Sequence, residues 1–275
     1  MKIFLSAIIA IILIYSCSNS PTDPDNSVWK PLDMVKIPSA AFNMKILSHS
    51  TGLETLAVRI THDFLIDKTE ITIGHFRLFE KSAGINITSF YEAYYDTAWL
   101  PTDALKKKRD QADIHPAENI PWFLAARFCN WRSREEKLAP CYDTTTWICS
   151  PENNGYRLPT LAEWQYISDS LITGTTSNII LPLKTNELSD TAGSRPDITS
   201  SGDTIMNFYG NVMEWCNEWY HTDLDSFYPD TVLLDPMGPK KGVLKIYFFT
   251  RDSVGAAYPD RQFTNIGFRC VRKAE

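Results

Sequence analysis

The residues predict short strands mixed with helices in a loop-rich fold, and three observations carry that expectation. Short apolar runs with strand-like alternation sit at both ends of the globular part: Val58, Ile60, Phe64 and Ile66 near its start, residues 243–249 and 266–271 near its end. Between them stand three helix starts, at Thr72, Pro121 and Thr160. Residues 171–203 form a long polar excursion, and the chain is rich in Trp (8) and Tyr (12), large side chains that fill space in loop-rich folds.

Composition sets the limits. The 275 residues are enough for one large domain or two small ones, and 44% hydrophobic content supports a substantial core. A net charge of −6 argues against a nucleic-acid partner, because no basic excess exists to neutralise phosphates.

In chain order, Met1 and Lys2 give a charged start to an apolar run over residues 3–14, too short for a comfortable membrane span and suited to a signal-peptide core. The run ends in Ser16-Cys17, a small residue before a cysteine, which resembles the lipobox of bacterial lipoproteins. That resemblance implies a signal peptide over 1–16, lipid on Cys17, a polar tether over 17–27 and attachment to a membrane through the lipid. Ser18, where an Asp would retain a lipoprotein inside, implies the outer membrane.

Residues 28–275 form the domain. Residues 34–38 and 41–44 read as two short strands joined by a turn. Thr72 is a plausible N-cap, with Ile73 and Phe76 turned inward. Residues 83–120 show no period, and the basic run Lys106-Lys107-Lys108-Arg109 reads as solvated surface. After Pro121, Trp122, Ala125, Ala126 and Cys129 recur at i, i+3, i+4 and i+7, one buried helical stripe. Cys141 and Cys149 bracket a hairpin-like insertion. Thr160 and Glu163 make a capping box that starts a helix at Leu161.

The densest stretch is residues 207–219. Asn207, Glu214 and the carbonyls of Gly210 and Val212 lie at near-alternate positions around a glycine, an oxygen set of the kind a hard cation takes. One carboxylate is few for Ca²⁺, and from the residues alone a glycine turn leading into an aromatic core segment is the favoured account. Trp215 and Trp219, four apart, would share one helical face.

Four motifs stand in order: Lys68-Thr69-Glu70-Ile71-Thr72; Trp122 through Cys129-Asn130-Trp131; Tyr156-Arg157-Leu158-Pro159-Thr160 with Glu163-Trp164; and Gly210-Asn211-Val212 with Glu214-Trp215. Gly267-Phe268-Arg269-Cys270 closes the series. The ordered set resembles the formylglycine-generating enzyme family, the sulfatase-modifying factor domain, across nearly all of residues 28–275. The resemblance implies a single irregular C-type-lectin-like α+β domain with structural calcium held by Asn207, Gly210, Val212 and Glu214. It implies a second calcium site in residues 185–194, where Asn186 is the only candidate. It places a ligand groove near Trp215, Arg251, Tyr258 and Arg261, and it pairs Cys129 with Cys270 in a disulfide. Cys141 and Cys149 are a second candidate pair, and Cys216 reads as a small buried hydrophobe.

Members of the family oxidise a substrate cysteine with O₂ at a copper ion held by two cysteines shortly before Gly-Phe-Arg. Residues 247–266 contain no cysteine, and Thr250 or Ser253 cannot replace the soft ligands Cu(I) needs. Copper is therefore not expected, and no residue is assigned a catalytic role. The five histidines, His49, His62, His75, His115 and His221, show no ligand spacing and read as surface or turn residues. Neither Asp223 with Asp225 nor Glu214 with Glu218 reads as a glycosidase dyad. The expectation is a lipid-anchored envelope protein with a binding or scaffold role toward an envelope protein or a glycan. The alternatives are an oxidoreductase modifying proteins or thiols with a different metal, and a structural lipoprotein of a secretion or motility assembly.

Overall fold

Strand β1 (Met34–Ile37) lies antiparallel to β4 (Phe64–Asp67), and β13 (Val271–Lys273) lies antiparallel on the other side of β4. The two ends of the domain thus meet in one sheet, ordered β1-β4-β13. The structure, a computed structural model, describes residues 28–48, 52–86, 112–175, 189–221, 232–250, 253–263 and 265–275. The signal peptide, Cys17 and the tether lie outside the described residues, as do His49, Lys106 to Arg109, Asn186, Asp223, Asp225 and Arg251.

The remaining strands among the described residues form three small sheets. β2 (Ala40–Ser48) and β3 (Gly52–Ile60) make a hairpin, with β9 (Leu233–Leu234) parallel to β3. β8 (Met213–Trp219) is central in the order β11-β10-β8-β12, with β10 (Lys245–Thr250), β11 (Ser253–Ala257) and β12 (Ile266–Gly267). β5 (Ile172–Thr175), β6 (Pro196–Thr199) and β7 (Thr204–Met206) form the last sheet. The polar excursion expected over 171–203 therefore contains strands. Thr and Ile carry strand propensity there, but one face is polar, so no apolar period marks it.

Each helix start agrees with the sequence. Thr72 caps α1 (Ile73–Ala83), its side chain accepting from His75 N, and His75 completes the capping box. Gly84, at φ 65°, closes the helix in the left-handed region that glycine tolerates. α2 (Trp122–Glu135) buries the expected stripe together with Phe128. α3 (Leu161–Tyr166) opens on the Thr160–Glu163 capping box and runs on into a π turn, Ile167–Leu171. Trp215 and Trp219, however, belong to strand β8 and not to a helix. They still share a face, because a strand has period 2 and four residues is a whole number of repeats.

Two apolar clusters fill the domain. The first packs α1 and α2 around Phe76, Phe79, Trp122, Phe128 and Phe268. The second centres on Trp164, whose ring is stacked 3.7 Å from Phe248 and 4.6 Å from Phe208. Among the described residues, no helix is long and apolar enough to cross a membrane.

Candidate functional site: a buried charge cluster beneath the glycine loop

The end of β4, helix α2, strand β8 and the turn between β12 and β13 bring four charged side chains together. Asp67 accepts from Arg132 Nη1 at 2.7 and 2.8 Å, and its Oδ2 also accepts from Cys270 N at 2.8 Å. Arg132 lies 3.7 Å from the Tyr156 ring centroid, a cation–π contact on its other face. Arg269 donates from Nε to both Glu214 oxygens at 2.8 Å and from Nη2 to Oε1 at 2.6 Å. Its remaining N–H groups reach the carbonyls of Asp67, Met206 and Asn207. All four side chains are almost wholly sealed from solvent.

The loop over residues 207–212 covers this cluster. Asn207 (φ 51°), Gly210 (φ 93°) and Asn211 (φ 61°) all adopt left-handed angles, which Asn tolerates because its short amide bonds locally. Asn207 Oδ1 accepts from Ser194 Oγ at 3.1 Å and Arg195 N at 2.9 Å. The two amide Nδ2 groups donate to Glu70, from Asn207 at 3.2 Å and from Asn211 at 2.8 Å. Burial pushes the Glu70 carboxyl up to about 7; Arg269 opposes the rise and Glu214 adds to it.

A second buried polar group lies toward the Trp219 end of β8. Arg157 and Glu163 form a buried two-pronged pair at 2.7 and 2.6 Å. Lys245 Nζ sits 3.7 Å from the Trp122 ring centroid and 4.0 Å from that of Trp219, and donates to Asn217 O at 2.6 Å. Burial lowers its amine to about 7 and raises the neighbouring Glu218 carboxyl to about 8.

A family model described as the Sulfatase-modifying factor enzyme 1-like domain matches residues 20–178, more than half of the chain. The chain belongs to this family. The formylglycine-generating enzyme of Streptomyces coelicolor is 24% identical over 271 residues, with 82% of each chain covered. That of Mus musculus is 24% identical over 292 residues, covering 86% of this chain and 74% of the mouse protein. Among solved structures, Treponema denticola variable protein 1 superposes with a TM-score of 0.60 at 19% identity, over 88% of this chain and 95% of its own. CarF gives 0.57 at 21% identity, over 89% and 99%. These likenesses confirm the mixed, irregular fold expected of a sulfatase-modifying-factor-like domain.

The expected calcium ligands sit within the cluster, but their atoms are arranged for another partner. Both oxygens of Glu214 accept from a guanidinium, and Asn207 Oδ1 already takes two donors. A divalent cation on this carboxylate would face the fixed charge of Arg269 at hydrogen-bond distance. Of the residues the resemblance assigns to calcium, Glu214 is here held by the Arg269 guanidinium, and Asn207 Oδ1 accepts from the neighbouring loop. Trp215, which the resemblance sets near a ligand groove, is fully buried, its Nε1 donating to Ile120 O at 2.8 Å. Tyr258 is exposed, with the Arg261 guanidinium 5.2 Å from its ring, so these two share a surface position.

The described cysteines stand as free thiols. Cys129 and Cys270 approach to 3.6 Å between sulfurs, fully buried beside Asp67 and Arg132. The Cys141 and Cys149 thiols share a hydrogen bond at the base of the insertion, beside the backbone bridge of Tyr142 to Cys149; that hydrogen bond lowers the Cys141 thiol and raises that of Cys149. Cys216 is buried as expected, and burial raises its thiol well above the usual range. Two histidines depart from the surface expectation. His115 is buried against Ser189 O, and burial lowers His75, in the capping box, to about 4.

Sequence reasoning missed Glu70, Asn211 and the Asp67–Arg132 pair as members of the cluster. Glu70 and Asn211 stood within the ordered motifs, but nothing in the sequence marked either as buried. Asp67 and Arg132 carried no mark either.

Proposed function

We propose that this chain is a sulfatase-modifying-factor-like protein without copper-dependent oxidase activity, held in the cell envelope by lipid on Cys17 and acting there as a binding or scaffold module. The observation that carries this reading is the absence of any cysteine from residues 247–266, the segment where the family's copper thiolates belong. Of the thiols elsewhere, Cys129, Cys270 and Cys216 are sealed in the interior, and Cys141 and Cys149 sit at the base of their own insertion, far in sequence from that segment. The charge cluster serves on this reading as a rigid internal brace with no need of calcium, holding the glycine loop against β4 and β8.

The test is direct. Purified protein is supplied with Cu(I), O₂, a thiol reductant and a cysteine-containing peptide, and the peptide is followed by mass spectrometry. The expected result is no conversion of thiol to aldehyde. Sustained turnover would overturn the proposal. Globomycin-sensitive processing and labelling by a palmitate analogue, lost in Cys17→Ser, test the anchor separately.

A further inference from the structure

A groove of about 700 Å³ opens between α1, α2 and the turn that follows Cys141, away from the charge cluster. Its size suits a small ligand. On α2, Arg127, Trp131 and Arg134 stand at i, i+4 and i+7, so two guanidinium groups flank an indole along one face of the helix. Neither arginine has a salt-bridge or hydrogen-bond partner for its side chain among the described residues. The nearby Glu135 offsets only one of the two charges. Trp131 Nε1, on the same wall, also has no acceptor among the described residues.

The opposite wall is held in place with some care. Asn130 donates to Tyr142 O at 2.6 Å and accepts from Tyr142 N at 2.9 Å, tying the turn to the helix. Asp143 accepts from Thr145 N at 2.9 Å and Thr146 N at 2.7 Å, which fixes the turn itself. Trp147 follows at φ 59°, an angle that bulky side chains rarely adopt, and its ring packs 4.7 Å from Phe123 while lining the groove. Strain of this kind persists where the surroundings over-determine a useful placement.

We propose that this groove binds an acidic disaccharide segment, a pair of uronate residues, stacked on Trp147 with its carboxylates on Arg127 and Arg134. The inference goes beyond the binding or scaffold reading by naming a ligand class and a site. Two arginines seven residues apart on a helix are separated by ~10 Å along its axis, a spacing that suits two carboxylates on linked rings. Guanidinium forks match carboxylates, aromatic faces match the C–H faces of sugar rings, and the hydroxyl of Thr144 on the rim complements sugar hydroxyls. A peptide is the poorer occupant. The main walls are helices whose backbone groups are committed within each helix, so no sheet edge is free to pair with a peptide backbone.

The test is calorimetry on the full chain in low salt, with digalacturonate as the probe and lactose as the uncharged control. Digalacturonate should bind and lactose should not. Arg127→Ala with Arg134→Ala should weaken binding by about tenfold or more, the loss expected for charge-assisted hydrogen bonds. Arg134→Ala alone, at an exposed position, should weaken it by a smaller factor with the near-ultraviolet spectrum unchanged. Failure of digalacturonate to bind, equal binding of lactose, or full affinity in the folded Arg134→Ala and double variants would overturn the proposal. Oxidase activity of the protein would bear on the reading of the copper segment and leave this result untouched.

Discussion

Replacing Glu214 by Gln keeps the size of the side chain and removes one charge from a sealed pair. Arg269 is fully buried, and Glu214 supplies three of its contacts, at 2.6, 2.8 and 2.8 Å. Removing one partner of a buried ion pair costs about 3–5 kcal/mol, because the other charge is left uncompensated. The carbonyls of Asp67, Met206 and Asn207 remain as acceptors, which places the expected loss near the lower end, about 3 kcal/mol. Glu70 adds a pH dependence. Its carboxyl is raised to about 7, with Glu214 among the causes, so in the wild type it costs stability as pH climbs from about 4.5 through 7. Without Glu214, Glu70 becomes the nearest counter-ion to Arg269 and ionises more readily. The deficit of the variant should therefore be larger at pH 5 than at pH 8. Urea denaturation followed by tryptophan fluorescence measures both quantities. A deficit below about 1 kcal/mol at pH 5, or one that grows with pH, would refute the argument. The double variant with Arg269→Met should lose less than the sum of the single changes. Chelator and added calcium should leave the wild-type melting temperature where it is; a rise of several degrees with calcium would show an ion where the guanidinium is placed.

Three further outcomes follow from the interior. Glu218, raised by burial to about 8, binds a proton in the fold that the unfolded chain has released, so stability falls as pH rises from about 4.5 to 8. Glu218→Gln should remove the Glu218 share of that fall, leaving that of Glu70, and gain on the wild type by up to ~4 kcal/mol by pH 9; parallel pH curves for the two proteins would contradict it. Gly155→Ala would set a Cβ 2.2 Å from Ala139 O and 2.6 Å from Ser133 Oγ, and should cost at least ~2 kcal/mol in the same denaturation assay. In an oxidising medium Cys129 and Cys270 should join, so thiol titration of the unreduced, unfolded protein should count two fewer thiols, restored by dithiothreitol.

The parts of the fold legible in the sequence are those set by short-range chemistry. Thr160 with Glu163, Thr72 before Ile73, and the Trp122 to Cys129 stripe each specify a local structure that the whole fold then keeps. Residues 213–219 were misread as helical because the i, i+4 spacing of Trp215 and Trp219 satisfies both a helix and a strand. Pairing with β10 and β12 decides between them, and that pairing is long-range. The sheet of β5, β6 and β7 was missed for a related reason: β5 finds β6 only across the residues between Thr175 and Pro196, and the buried positions of β6 are polar, Asp197 and Thr199, while Ile198 is exposed.

The site shows the same division in sharper form. The loop singled out in the sequence does cover the charge cluster: the Asn207 carbonyl and Glu214 Oε1 both accept from Arg269 Nη2. What the sequence could not specify was which positive charge they surround. Arg269 lies 55 residues after Glu214, and only folding of β12 beside β8 turns its guanidinium into the loop. The motifs that identify the family are largely members of this buried network: Glu70, Asn211, Glu214, Arg269, and Arg157 with Glu163. Buried charges of this kind hold together only as a complete set, since each one left unpaired costs several kcal/mol. A chain can therefore lose its copper cysteines, which lie in a segment outside the network, and keep every motif that marks the fold. The persistence of those motifs is evidence about the brace and carries no information about the oxidase chemistry.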